Sequence, residues 1–217
     1  MNEEKRLIRR WVRVGLICGI TADILYGLAI GAPLPTHLRF TLFFFFGPLL
    51  SASAGGSYYF LKQHKNSIAL QIGTLFIIIA GALATLMATM QYAIKVFYLA
   101  NWTEGMDKVS ETALDYAWDT GNGIQLGADL TMDIFLFASI ILFGIVVFNH
   151  PRIGKIIGSL GVIIGVLSFA FNLYTFPYPP GEAGLIDMGP FIGLWFLVLA
   201  IMIIFSLKWF DKQLGIE

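Results

Sequence analysis

The sequence predicts an all-α fold: a polytopic membrane protein whose single domain, residues 1–217, is a six-transmembrane-helix bundle with an extracellular amphipathic helix between spans three and four. Three observations carry this. Of 217 residues, 57% are hydrophobic and 13% charged, against about 25% charged in soluble domains, and the mean hydropathy is +0.76. Apolar runs near the roughly 20 residues that cross a bilayer recur along the chain. Lysine and arginine fall almost entirely on one set of connecting segments.

The first run, 14–32, follows a basic arm of Lys5, Arg6, Arg9, Arg10 and Arg13. It exceeds a signal-peptide hydrophobic region, lacks a small-residue cleavage site and is followed by further runs, so it reads as a span. The second, 40–61, holds Pro48 after Gly47, which predicts a kink because proline removes a backbone hydrogen bond. Phe43 to Phe46 in that run are expected against lipid or neighbouring helices. The third, 67–99, is long enough to tilt or to project beyond the bilayer.

Residues 104–119 then read as a separate helix. Met106, Val109, Ala113 and Tyr116 recur at helical spacing, and Glu104, Asp107, Glu111, Asp115 and Asp119 form an acidic stripe. Thr103 is the expected N-cap, and Gly121 and Gly123 the expected stop. Such a helix lies over the outer mouth, either as a solvated face or as a cation-attracting vestibule.

Spans four, five and six follow at 126–149, 153–176 and 189–209. Gly154, Gly158, Gly161 and Gly165 in span five, Ala80, Ala84 and Ala88 in span three, and Ser51, Gly55 and Gly56 in span two predict close helix packing. That packing is either within the chain or between copies, as a homo-oligomer.

Orientation follows from charge. Lys62, Lys65, Arg152, Lys155, Lys208 and Lys212 share a side with the basic arm, whereas only Arg39, Lys95 and Lys108 lie opposite. The Lys- and Arg-rich side faces the cytoplasm, so both termini are expected there, with the arm anchored on anionic membrane lipids. Trp11, Tyr58, Tyr59 and Trp209 then fall at the inner boundary; Tyr92, Tyr98, Trp102, Tyr174 and Tyr178 fall at the outer one. Three plus three spans of opposite orientation are compatible with an inverted repeat.

Several classes are disfavoured. The formal net charge is +0, which gives no global electrostatic case for nucleic acid. The lone Cys18 forms no internal disulfide and reads as a small packing residue. No Gly-rich phosphate loop is present, so the chain is not expected to hydrolyse nucleotide itself. Asn101-Trp102-Thr103 matches the glycosylation sequon, which matters only in a eukaryotic host.

The polar residues inside the spans are the functional signal. Asp23, Asp129 and Asp133 lie in runs where a carboxylate costs roughly 2.5 to 3.5 kcal/mol even on a mild scale. Asp129 and Asp133 are four apart and share a helix face. At about 1.5 Å per residue, Asp133 lies roughly 10 Å below the outer boundary, and Asp23 about 14 Å from the inner one. Gln91 and Lys95, also four apart, and Asn172 fall near the outer ends of their spans, with His37 and Arg39 at the outer start of span two.

This predicts an outward-facing acidic cavity lined by Asp129 and Asp133 and floored by Asp23. Gln91, Lys95 and Asn172 would orient a small polar or cationic solute. The competing reading pairs Lys95 or Arg39 with Asp129 or Asp133, so that the polar set only holds helices together. Asp23 has no base at its depth and is expected to be hydrated, protonated or solute-bound. Two functions therefore stand: a small transporter, channel or solute-binding membrane subunit, and a scaffold or accessory subunit.

Catalysis is a weaker reading. His37, His64 and His150 all sit at span boundaries, which suits neither bis-histidine haem nor a zinc hydrolase. Ser51 and Ser53 have no histidine at their depth to act as base. No catalytic residue, cofactor or metal is expected.

His150-Pro151-Arg152-Ile153-Gly154, the glycine ladder of span five, and Gly189-Pro190 through Gly193-Leu194-Trp195 carry a resemblance. On them the C-terminal half resembles an uncharacterised group of small bacterial six-span integral membrane proteins known only as a domain of unknown function. That resemblance implies a bacterial inner membrane and no known chemistry. In size and span count the chain is also similar to the solute-binding subunits of energy-coupling-factor vitamin transporters. Its first span holds Gly15, Gly19 and Ala22 among bulky neighbours where those subunits carry a small-residue coupling motif.

Overall fold

A chain this apolar has few folding options, because a backbone amide in hydrocarbon finds no water and must be satisfied within its own helix. The structure, a computed structural model, describes residues 3–216. Among them the elements are α1 (Glu3–Gly31), α2 (Thr36–Lys62), α3 (Ile68–Asn101), α4 (Lys108–Phe148), α5 (Gly154–Thr175), α6 (Gly189–Phe205) and α7 (Leu207–Gln213). The first five are each long and apolar enough to cross a membrane, and α6 with α7 passes the same test as a pair bent by 59°. The chain is a multi-pass membrane protein.

The long helices alternate in direction. The basic arm, the α2–α3 and α4–α5 connections and α7 gather at one end, called here the basic end. The α1–α2, α3–α4 and α5–α6 connections gather at the opposite end. Each helix packs on its chain neighbour from α1 to α5, and α6 closes the ring against α1 and α5 through far thinner packing.

Glycines set the spacing, since in lipid it is close van der Waals approach that holds helices together. A Cβ on Gly15 of α1 would lie 2.5 Å from the Gly56 Cα of α2. Gly47 of α2 lies against the Gly81 carbonyl and Thr85 of α3. A Cβ on Gly144 of α4 would lie 2.8 Å from the Gly158 carbonyl of α5. Gly161 makes room for Trp195 of α6, whose indole N–H donates to the Ile157 carbonyl at 2.9 Å. Ala80, Ala84 and Ala88 are buried. Gly154 does a different job from the rest of its ladder: it opens α5 with φ of 84° and has nothing within 4 Å of a Cβ.

Pro48 lies inside α2, which continues past it. Three features differ from the sequence expectation. The basic arm is already helical, because α1 starts at Glu3. Span six ends early: Ser206, whose hydroxyl donates to the Met202 carbonyl at 2.7 Å, marks the bend into α7.

The third is the largest correction. Residues 104–119 are no separate helix over the mouth; from Lys108 they are the first turns of a continuous 41-residue α4. A glycine inside a helix costs only about 1 kcal/mol, and Gly121 brings α4 close to α3, where a Cβ would lie 3.1 Å from Ile94. Leu114 is buried and Trp118 packs edge-on to Tyr98 at 4.9 Å. The N-cap is Asp107 rather than Thr103: its Oδ1 accepts the Val109 and Ser110 N–H groups at 3.0 and 3.1 Å. With the Ser110 hydroxyl as the strongest donor, these bonds hold the Asp107 carboxyl below its usual range.

The basic end is tied by side chains. Arg9 of α1 donates to Asp211 of α7 at 2.7 Å. Phe210 is fully buried and stacks on Phe60 at 5.6 Å. His150, only 2% exposed, sits between Phe60, Trp209 and His64, with ring centroids 5.3, 4.8 and 5.1 Å away. Its Nδ1 accepts the Arg152 N–H at 3.2 Å, which leaves Nε2 as a buried N–H without a partner. Burial first, and then the charge of His64, push its pKa down to about 4.

Two outcomes follow from this packing. Gly15→Ala should cost about 1–3 kcal/mol by overpacking, read as a lower melting temperature in detergent. Gly27→Ala, with nothing within 4 Å, should gain about 0.4–1 kcal/mol; equal effects at both sites would refute the packing argument. The unfolded chain protonates His150 from near pH 6.5 downward, whereas the folded form resists until about pH 4. Stability is therefore full above pH 6.5 and falls toward pH 4, by on the order of 3 kcal/mol. His150→Phe should flatten melting temperature against pH across that window, and an unchanged slope would sink the assignment.

Candidate functional site

Helical periodicity builds the site, because residues three, four and seven apart share a face. On α4 the stripe is Asp129, Met132, Asp133 and Leu136, on α1 Asp23 and Tyr26, and on α3 Met87 and Gln91. On α2 it is Phe43, Phe46 and Leu50, and on α6 Gly189, Ile192, Gly193 and Phe196. These faces converge with Asn172 of α5 on one cavity of about 520 Å³. The α5–α6 connection completes it with Pro179 to Glu182 and Asp187, at the end opposite the basic one.

The cavity has two kinds of wall. Five carboxylates line it, those of Asp23, Asp129, Asp133, Glu182 and Asp187, and no lysine or arginine does. Glu182 and Asp187 are exposed at the mouth; the other three are half-buried. Among the described residues Asp23, Asp129 and Asp133 have no ion-pair or hydrogen-bond partner, yet none of their oxygens is sealed from solvent. The other wall is aromatic: Tyr26 stands edge-on to Phe43 at 5.8 Å and leans on Phe46 at 5.1 Å.

Gly189, the first residue of α6, leaves space where these walls meet. A Cβ there would lie 3.2 Å from Asp187 Oδ1 and 3.6 Å from the Tyr26 hydroxyl. Asp187 Oδ1 accepts the Gly189 N–H at 2.9 Å. Tyr26 lies within electrostatic reach of Asp187, Asp133 and Asp129.

Asp23 also borders a second space. A crevice of about 20 Å³ between α1, α2 and α6 is lined by Gly15, Gly19, Ser53, Ser57 and Leu199, and shares Asp23, Leu50 and Phe196 with the large cavity. It has room for about one water. Asp23 thus stands at a neck between the cavity and the tightly packed half of the bundle.

Of the residues singled out in the sequence, Asp23, Asp129, Asp133, Gln91 and Asn172 all line the cavity. Asn172 donates its amide to the Ser168 carbonyl at 3.0 Å, so its side-chain oxygen is the group left for a solute. Lys95 requires correction: it is absent from the lining, and its ammonium donates to Thr36 Oγ1 at 3.2 Å. A long flexible stem lets that charge reach the helix end instead of the interior. Among the described residues neither Lys95 nor Arg39 pairs with Asp129 or Asp133.

Sequence reasoning missed Tyr26, Glu182 and Asp187. Tyr26 was findable, one turn from Asp23 on the same face. Glu182 and Asp187 belong to a Pro-Pro-Gly connection that carries no periodicity. The four phenylalanines divide: Phe44 and Phe45 are about half exposed, whereas Phe43 and Phe46 face the cavity.

Ser51 and Ser53 donate their hydroxyls to the carbonyls of Ile78 and Leu50. Among the described residues no group of three His, Cys, Asp or Glu could hold a metal ion. In comparisons with protein-family models, curated proteins and solved structures, nothing matches the chain.

If the cavity is wet, Asp133→Cys in a Cys18→Ala background should react with a charged, water-soluble thiol reagent. Failure to label from either side of the membrane would show that the cavity is closed to water.

Proposed function

We propose that the protein is a small membrane transporter or solute-binding subunit that takes a cation from the side opposite its termini. The Lys and Arg imbalance supports a cytoplasmic basic end, with the start of α1 and α7 on that side, and hence an outward-facing cavity. One observation supports the reading above all: three unpartnered carboxylates in helices apolar enough to span a membrane, turned into an open cavity that contains no base. Like charges in a low-dielectric cleft focus a field that concentrates cations. They are costly in hydrocarbon unless water or a cation compensates them.

Movement across the membrane has a natural place in this geometry. Asp23 borders both the cavity and the crevice below it. Both spaces are walled by α1, α2 and α6, and of these three α6 packs most thinly on its neighbours. A shift of α6 against α1 would join the two spaces at Asp23, the kind of rocking that gives alternating access. A scaffold would use its polar residues as bonds between helices, and here those carboxylates make none among the described residues.

Removing the charges distinguishes these roles. Asp23→Asn, Asp129→Asn and Asp133→Asn should leave the melting temperature in detergent unchanged or raised, as for residues strained for function. Each should also abolish cation uptake into proteoliposomes. A fall in melting temperature in all three variants, with no uptake by the parent protein, would support the scaffold role instead.

A further inference from the structure

The cavity walls narrow the class of cation, an inference that rests on the cation-binding reading above. We propose that the solute is a hydrophobic organic cation, its charged nitrogen bearing apolar substituents. The nitrogen sits between the Asp129–Asp133 stripe and the face of Tyr26. The apolar body lies against Phe43, Phe46 and Phe196.

Four features support this class. First, the volume of about 520 Å³ falls in the range of roughly 300–1,000 Å³ typical of drug-sized ligands, far larger than a bare metal ion needs. A chelated metal would also want three or more converging ligands, and the described residues hold no such group. Second, apart from its carboxylates the lining is chiefly aromatic, thioether and aliphatic, the two methionines being Met87 and Met132. Such walls strip water from a hydrated ion without replacing it, but they bury alkyl or aryl groups favourably.

Third, aromatic faces attract alkylated ammonium specifically. A cation over an aromatic ring gains about 0.5–2 kcal/mol, most when desolvated, and cages of this type recognise quaternary ammonium. Phe43 and Phe46 pack on Tyr26 at 5.8 and 5.1 Å, and its side chain lines the same cavity as both carboxylates of α4. Fourth, a zwitterion such as an amino acid needs an anion site. No Lys or Arg lines the cavity, and at the α6 N-terminus the Gly189 N–H is already bound by Asp187 at 2.9 Å.

The test is binding to the purified full chain in a maltoside detergent, which has no ammonium headgroup to compete. Benzyltrimethylammonium and tetraphenylphosphonium are titrated against spermidine and calcium chloride. Saturating hydrophobic cation should raise the melting temperature by about 5–10 °C, the shift expected near a hundredfold excess over Kd. Asp133→Asn should weaken benzyltrimethylammonium at least tenfold. Tyr26→Leu should weaken it severalfold and Tyr26→Phe, which keeps the ring, should not; Phe46→Leu gives an independent aromatic variant if Tyr26→Leu does not fold.

Shifts with spermidine or calcium but none with the hydrophobic cations would overturn the class while leaving a cation site. No shift with any cation would overturn the cation reading as well. Equal binding of hydrophobic cations to the Asp129→Asn/Asp133→Asn double variant would mean non-specific partitioning and would also overturn the proposal.

Discussion

Backbone-to-backbone approach through glycine is the constraint on which the rest depends. In lipid, apolar side chains gain nothing by leaving one hydrocarbon for another, so helices hold together where they come close enough for dispersion contacts to accumulate. Gly15 against Gly56 and Gly144 against Gly158 draw neighbouring helices together toward the basic end, and Gly47 against Gly81 does so near the middle. Nearer the other end, the inward positions carry Tyr26, Phe43, Phe46 and Met87 instead. These closest glycine contacts lie in the basic half and near the middle, where the ring is tight, and the cavity opens beyond them.

The carboxylates occupy the open half for the same reason. An aspartate in the tight half would meet apolar packing and no water; in the open half its oxygens reach solvent. Asp23 stands where the two regimes meet, bordering both the wide cavity and the one-water crevice. Its neighbours there, Gly19 and Ser53, are small enough to leave the crevice unfilled. The closing helix, α6, approaches its neighbours over less of its length than the other cavity walls do.

The basic end solves a different problem. The bend at Ser206 turns α7 back across the ends of the helices, and Arg9–Asp211 with the Phe60–Phe210 stack fixes it there. His150 is locked among aromatic rings with one N–H unsatisfied, a local cost within otherwise well-packed surroundings. None of the three histidines lines the cavity.

Much of this was legible in the amino-acid order. Long apolar runs determine helices that suit a bilayer, because backbone amides have no other partner there. Fourfold spacing determines that Asp129 and Asp133 share a face, since helical geometry leaves no alternative. Helix direction, alternating along the chain, brings Asp23, Gln91 and Asn172 toward the same half. What the order of residues left open was decided by distance across the fold. Gly121 reads as a helix stop but serves close packing on Ile94, Lys95 reads as a partner for aspartate but bonds Thr36, and Phe43 and Phe46 face inward while Phe44 and Phe45 do not. Periodicity specifies which side chains share a face; only the packed helices specify what that face meets.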